Sequence, residues 1–139
     1  MARALRSRCA MVARSYRELV VYQRCSELRR AVLALLESPR ARTDRKFCEQ
    51  LRDAVRSPPR NIAEGFGRYN PGEFAQFMDV AIASLDETDN HVRDGVESGY
   101  FSPEPAAVTI KLCAECRWLS VRLRTYLIGE AKRRRNKRR

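Results

Sequence analysis

Apolar residues recur four times along this chain at spacings of three and four, and no segment shows the alternation of a half-buried strand. A period near 3.6 places such residues on one face of a helix, so each run predicts an amphipathic helix. The first stripe is Val21, Cys25, Leu28, Val32 and Leu35. The second is Phe47, Leu51 and Val55, resuming at Ile62 and Phe66 and extending to Tyr69. The third is Phe74, Phe77 or Met78, Ala81, Leu85, Thr88 and Val92, and the fourth is Leu112, Cys116, Leu119, Leu123 and Tyr126. Four long helices, short connections and 139 residues predict one all-α domain, an antiparallel up-down-up-down four-helix bundle.

Local signals set the boundaries. Ser15-Tyr16-Arg17-Glu18 reads as a capping box opening the first helix, and Ser38-Pro39 stops it because the residue before proline avoids the α region. The second helix starts near Thr43-Asp44. Ser57-Pro58-Pro59 removes two backbone donors, yet the apolar phase continues beyond it, which predicts one helix kinked at Pro58-Pro59. Asn70-Pro71-Gly72-Glu73 opens the third helix and Ser98-Gly99 closes it; Ser102-Pro103-Glu104 opens the fourth. Trp118 sits off the fourth stripe, which suggests a contact outside the bundle.

The formal net charge is +11, but it is unevenly spread. Residues 1–15 carry four arginines and no acid, residues 130–139 carry seven Lys/Arg and one Glu, and the remainder holds 17 basic and 16 acidic residues. The chain therefore divides into a basic N-terminal arm (1–15), a bundle (16–130) and a basic C-terminal tail (131–139). Both ends are expected to be disordered through self-repulsion. The arm shares its composition with organellar transit peptides, but a plain basic arm or a start at Met11 instead of Met1 is preferred. No run of about 18 apolar residues predicts a membrane span.

Five cysteines without framework spacing point to a reducing, cytoplasmic setting. Cys113 and Cys116 have the spacing of half a zinc site. With no second Cys/His pair nearby, and with Cys116 falling on the apolar stripe as a small hydrophobe, no metal or cofactor is expected.

The densest polar cluster is Asn61-Ile62-Ala63-Glu64-Gly65-Phe66-Gly67-Arg68. Ser57, Asn61, Glu64 and Arg68 share one helical face, as do Ser84, Glu87 and His91, so Ser57, Asn61, Glu64, Ser84 and Glu87 are expected to form a network between the second and third helices. Glu64 and Glu87 as paired carboxylates with His91 as base would be the catalytic reading. The single histidine and the lack of an activated nucleophile or phosphate loop argue against it, and ordinary helical pairs, Glu64 with Arg68 or Arg60 and Glu87 with His91, account for the same residues. Gly65 and Gly67 each cost a helix about 1 kcal/mol relative to alanine, which implies close approach of a neighbouring helix or second subunit.

The Asn61–Arg68 run, with Gln50-Leu51-Arg52 and Ser57 before it and Glu73-Phe74 and Ser84-Leu85-x-Glu87 after it, resembles the four-helix-bundle proteins encoded in intervening sequences of large-subunit ribosomal RNA genes. The resemblance covers residue 16 to about 128; Asp53, Pro58 and Ala83 depart from the usual pattern. It implies an all-α bundle assembling as a barrel-like homopentamer, without enzymatic activity. It also implies kinship with the accessory variability proteins of diversity-generating retroelements, which bind nucleic acid and partner a reverse transcriptase. Together with the basic ends, it predicts a non-catalytic oligomeric nucleic-acid binder, of RNA before DNA. Arg60, Arg68, Lys132, Arg133, Arg134, Arg135, Lys137, Arg138 and Arg139 are the candidate contacts. An accessory scaffold subunit for a retroelement reverse transcriptase is the alternative.

Overall fold

The computed structural model describes residues 13–139, so the first twelve residues of the expected basic arm, and with them the choice between Met1 and Met11, lie outside the described residues. Ser15 caps a 3-10 turn, Tyr16–Glu18, by accepting from the Arg17 amide at 3.2 Å. Glu18 does not complete the expected box on Ser15; its carboxylate reaches one residue further, to the Arg14 amide at 3.0 Å. Five α-helices follow: α1 Val20–Leu35, α2 Pro39–Arg42, α3 Arg45–Phe66, α4 Pro71–Glu97 and α5 Pro103–Lys137. The described residues contain no strand.

The helix starts follow their caps. Asp44 accepts from the Phe47 amide and Asn70 from the Glu73 amide, both at 3.1 Å, satisfying first-turn donors that have no helical partner. Ser102 makes no such side-chain bond, and Pro103 opens α5 without it. Gly99 closes α4 with φ +74, the left-handed conformation a glycine adopts without steric cost. After α3 the left-handed position is Tyr69, with φ +53, and neither Gly65 nor Gly67. The short helix α2 was not anticipated. It follows the Ser38-Pro39 stop directly, with Pro39 at its first position, and is tied to α3 by the Cys48 thiol donating to the Ala41 carbonyl at 3.0 Å.

The four long helices share one core, centred on Leu28 and Val32 of α1, Leu51, Val55 and Ile62 of α3, Met78, Leu85 and Val92 of α4, and Cys116 of α5. α3 runs unbroken through Pro58 and Pro59, which are both buried, although two helical N–H donors are missing there. The first three stripes match the buried faces closely, except that Tyr69 lies beyond the end of α3 and is exposed. The fourth is rotated: the buried line of α5 is Ala106, Thr109, Cys113, Cys116, Ser120 and Leu127, while Leu112, Leu119, Leu123 and Tyr126 are only half-buried. α5 packs against both α1 and α4, so its inward direction is set between two contacts, and small residues occupy the line of closest approach.

The C-terminal tail is helical for most of its length. Residues 131–139 were expected to be disordered, but α5 continues as helix to Lys137. Arg and Lys are good helix formers, Glu130 pairs with Arg133 and Arg134 three and four residues on, and cations are favoured at the negative end of the helix dipole. Among the described residues no helix is long and apolar enough to cross a membrane.

Candidate nucleic-acid interface

Charge is partitioned by helix. α4 carries seven carboxylates, Glu73, Asp79, Asp86, Glu87, Asp89, Asp94 and Glu97, against one arginine, Arg93. α3 carries five cations and three acids, and α5 carries nine cations and three acids. Part of the α4 charge is neutralised by its neighbour: Arg117 donates to Asp86 at 2.7 Å, and Arg124 pairs with Asp79. A polyanion is therefore attracted to the α3 and α5 surfaces and repelled from α4.

The C-terminal part of α5 is the strongest cationic element. A Cβ placed on Gly72, in the first turn of α4, would lie 3.9 Å from the Ala131 Cβ, so α5 reaches the start of α4 at Ala131 and continues beyond it. Lys132, Arg133, Arg134, Arg135, Lys137, Arg138 and Arg139 are all exposed on this overhang. Arg133 donates to Glu130 at 2.8 Å and Arg134 approaches it at 3.7 Å, and the Arg133 bond holds the Glu130 carboxyl below the usual carboxylate range. The other five have no carboxylate within ion-pair distance among the described residues.

On the bundle, Arg60 is exposed and has no carboxylate partner among the described residues. Arg68 is exposed but engaged, donating to Glu64 at 3.0 Å with its guanidinium 5.2 Å from the Phe77 ring centre. Sequence reasoning missed the companions of Arg60. Arg45, Arg52, Arg56 and Arg60 fall seven, four and four residues apart, a helical spacing that puts them on one face of α3, interleaved with Glu49 and Asp53. Reading α3 for its polar period as well as its apolar one would have found them. Arg45 and Arg52 also line a cleft of about 330 Å³ with Arg42, Glu37 and Glu49.

The expected polar network is smaller than predicted. Ser84 Oγ donates to Ser57 Oγ at 2.7 Å, and Asn61 Nδ2 donates to Ser57 Oγ and to the Ser57 carbonyl, each at 2.9 Å. These three residues link α3 to α4. Glu64 and Glu87 do not join them: Glu64 pairs with Arg68, and Glu87 lies 3.5 Å from His91, each within its own helix and largely exposed. A carboxylate retains its solvation on the surface, whereas the hydroxyls and the amide satisfy one another without charge. Gly65 accounts for the close approach: a Cβ there would lie 2.6 Å from Phe74 Cδ1 and 2.9 Å from Phe77 Cβ. Gly67 has ordinary room, with its nearest neighbours at 3.6 and 3.7 Å.

Cys25, Cys48, Cys113 and Cys116 are all buried. Cys113 donates to the Leu85 carbonyl at 3.2 Å, and burial pushes its thiol up to about 12. A hydrogen bond with Cys25, together with burial, raises Cys116 well above the ordinary thiol range.

Residues 17–121 match the family model described as 23S rRNA-intervening sequence protein. No curated protein matches the chain.

Proposed function

From the premise that the chain belongs to the 23S rRNA-intervening sequence protein family, we propose that it is a non-catalytic, cytoplasmic RNA-binding protein working as a homo-oligomer, with a pentamer as the expected state. Its four long helices form an antiparallel up-down-up-down bundle bent at Pro58-Pro59. The observation that carries the RNA reading is the cationic overhang of α5, seven Lys/Arg within eight exposed residues on a helix that outruns its neighbour. Phosphate neutralisation by such residues releases counterions and supplies affinity without sequence preference. In an oligomer each overhang multiplies the others by raising the local concentration of binding sites. Arg60, with Arg45, Arg52 and Arg56, offers a second phosphate track on α3.

Fluorescence anisotropy of a labelled RNA titrated with the protein tests the reading, with solution mass measured alongside. The proposal expects saturable binding that weakens as salt rises, by a species larger than the monomer. No binding at low salt would refute the RNA role, and a monomer would refute the oligomer. One observation favours the alternative of an accessory scaffold for a reverse transcriptase, the acidic α4, which suits a basic protein partner. Reversing charge at Glu87 and Asp94 discriminates the two: the scaffold reading expects loss of the protein partner, and the RNA reading expects equal or stronger RNA binding.

A further inference from the structure

Trp118 is the only tryptophan in the chain and half of its surface is open to solvent. A half-exposed indole on the outward side of α5 offers a large flat apolar face to a partner outside the bundle. The Arg122 guanidinium lies over the ring, 4.6 Å from its centre. Lys111, Trp118, Arg122 and Thr125 follow one another at spacings of seven, four and three, so they share a face, which at the same helical period reaches Lys132 at the root of the overhang. Two carboxylates of this region are already neutralised. Glu115, one turn before Trp118, is bound by Arg24 at 2.6 Å, and Asp86 is bound by Arg117.

We propose that Trp118 is a stacking platform for an unpaired nucleobase of single-stranded RNA, with Arg122 and Lys111 taking the flanking phosphates and the α5 overhang holding the continuing backbone. This rests on the RNA-binding reading and adds the site at which a base is gripped. Every base presents a π-face, so such a platform binds single strands with little regard to sequence, and an arginine beside the ring contributes both charge and stacking. Lys111, Arg122 and Lys132 on one face make the surface along Trp118 cationic, which suits a phosphate backbone and would set like charge against like charge if a second copy of the chain docked there through the same face.

The experiment is a titration of the full chain with labelled single-stranded oligouridylate, reading RNA anisotropy and intrinsic tryptophan fluorescence together. Stacking predicts that fluorescence is quenched in step with the anisotropy change. W118A should weaken binding roughly 5- to 150-fold, the range expected for loss of one base–aromatic stack, while leaving the salt slope unchanged. W118F should keep part of the affinity. Both substitutions are at a half-exposed position, and unchanged thermal melting verifies the fold. Equal binding by wild type and W118A with no quenching overturns the platform but leaves the RNA-binding role standing, whereas no binding by the wild type overturns both. A fall in oligomer mass on W118A with unaltered RNA affinity would assign the indole to a subunit contact and equally overturn the platform.

Discussion

Gly65 and Gly67 look alike in the sequence, and their environments predict opposite responses to alanine. At Gly65 the new methyl would sit 2.6 Å from Phe74 Cδ1 and 2.9 Å from Phe77 Cβ. Real Cβ contacts do not occur below 3.0 Å, so Phe74 must move by several tenths of an ångström. It cannot swing freely, because it is buried, with the Phe66 ring edge-on at 6.3 Å. Forcing an extra methyl into such a core costs about 1–3 kcal/mol, and the better helix propensity of alanine returns about 1 kcal/mol of it. G65A is therefore expected to be destabilised by roughly 0–2 kcal/mol. At Gly67 the backbone is already α-helical, with φ −68, and the nearest atoms lie at 3.6 Å, so G67A is expected to gain about 0.4–1 kcal/mol, chiefly by restricting the unfolded chain. Urea unfolding of the two variants at equal protein concentration gives the comparison, with G67A above wild type and G65A below it. Equal shifts, or G65A the more stable, would refute the assignment of Gly65 to the α3–α4 approach.

Ser57→Ala should cost about 1–3 kcal/mol by stranding the buried Ser84 hydroxyl, Ser84→Ala should cost less because Ser57 still accepts from Asn61, and the double variant should cost less than both losses combined, as a double-mutant cycle in urea will show. Glu64→Ala should change stability by no more than about 0.5 kcal/mol, because its pair with Arg68 is exposed; thermal melting checks this. Tyr100→Phe should lower stability between the titrations of Asp44 and Tyr100 and so flatten its dependence on pH. The Tyr100 hydroxyl donates to Asp44 at 2.7 Å, holding that carboxyl below the usual range and the phenol above it. The depressed carboxyl contributes stability above its unfolded pKa that is lost as pH falls through the folded value. The raised phenol contributes stability below its unfolded pKa that is lost as pH rises through the folded value. Melting temperature against pH for wild type and Y100F should differ least at the acid and alkaline extremes and most between them.

The four long helices, the caps at Asp44 and Asn70 and three of the four buried stripes were legible because each depends on residues within a few positions of one another. The inward face of α5 was not, since contacts with both α1 and α4 decide it, and apolar size along one helix says nothing of either. Helix α2 escaped because four residues are too few to display a period. The polar cluster was legible as a link between helices but not in its membership. Serine and asparagine spacing marked the buried hydroxyls, while Glu64 and Glu87 have the same spacing and stay on the surface because burying a carboxylate without a tight partner is unfavourable. Arg60 stands beside the recognisable run, whereas Arg45, Arg52 and Arg56 are interleaved with Glu49 and Asp53, so in the sequence that face reads as an ordinary mixed-charge solvated surface. The helical overhang was misread because like charge was weighed against order, without the support of Glu130 and the helix dipole.

The central claim is that RNA is held by the α5 overhang. Its most direct test is the salt dependence of RNA affinity for the full chain and for a chain ending at Ala131, plotted as log affinity against log salt. Loss of all seven cations should flatten the slope by up to about 5 for a single strand, and by less to the extent that Glu130 already neutralises Arg133 and Arg134. Affinity should fall with it, while the melting temperature of the bundle stays close to that of the full chain. An unchanged slope and affinity in the truncated chain would contradict the claim and move the phosphate contacts to α3 or elsewhere on the bundle.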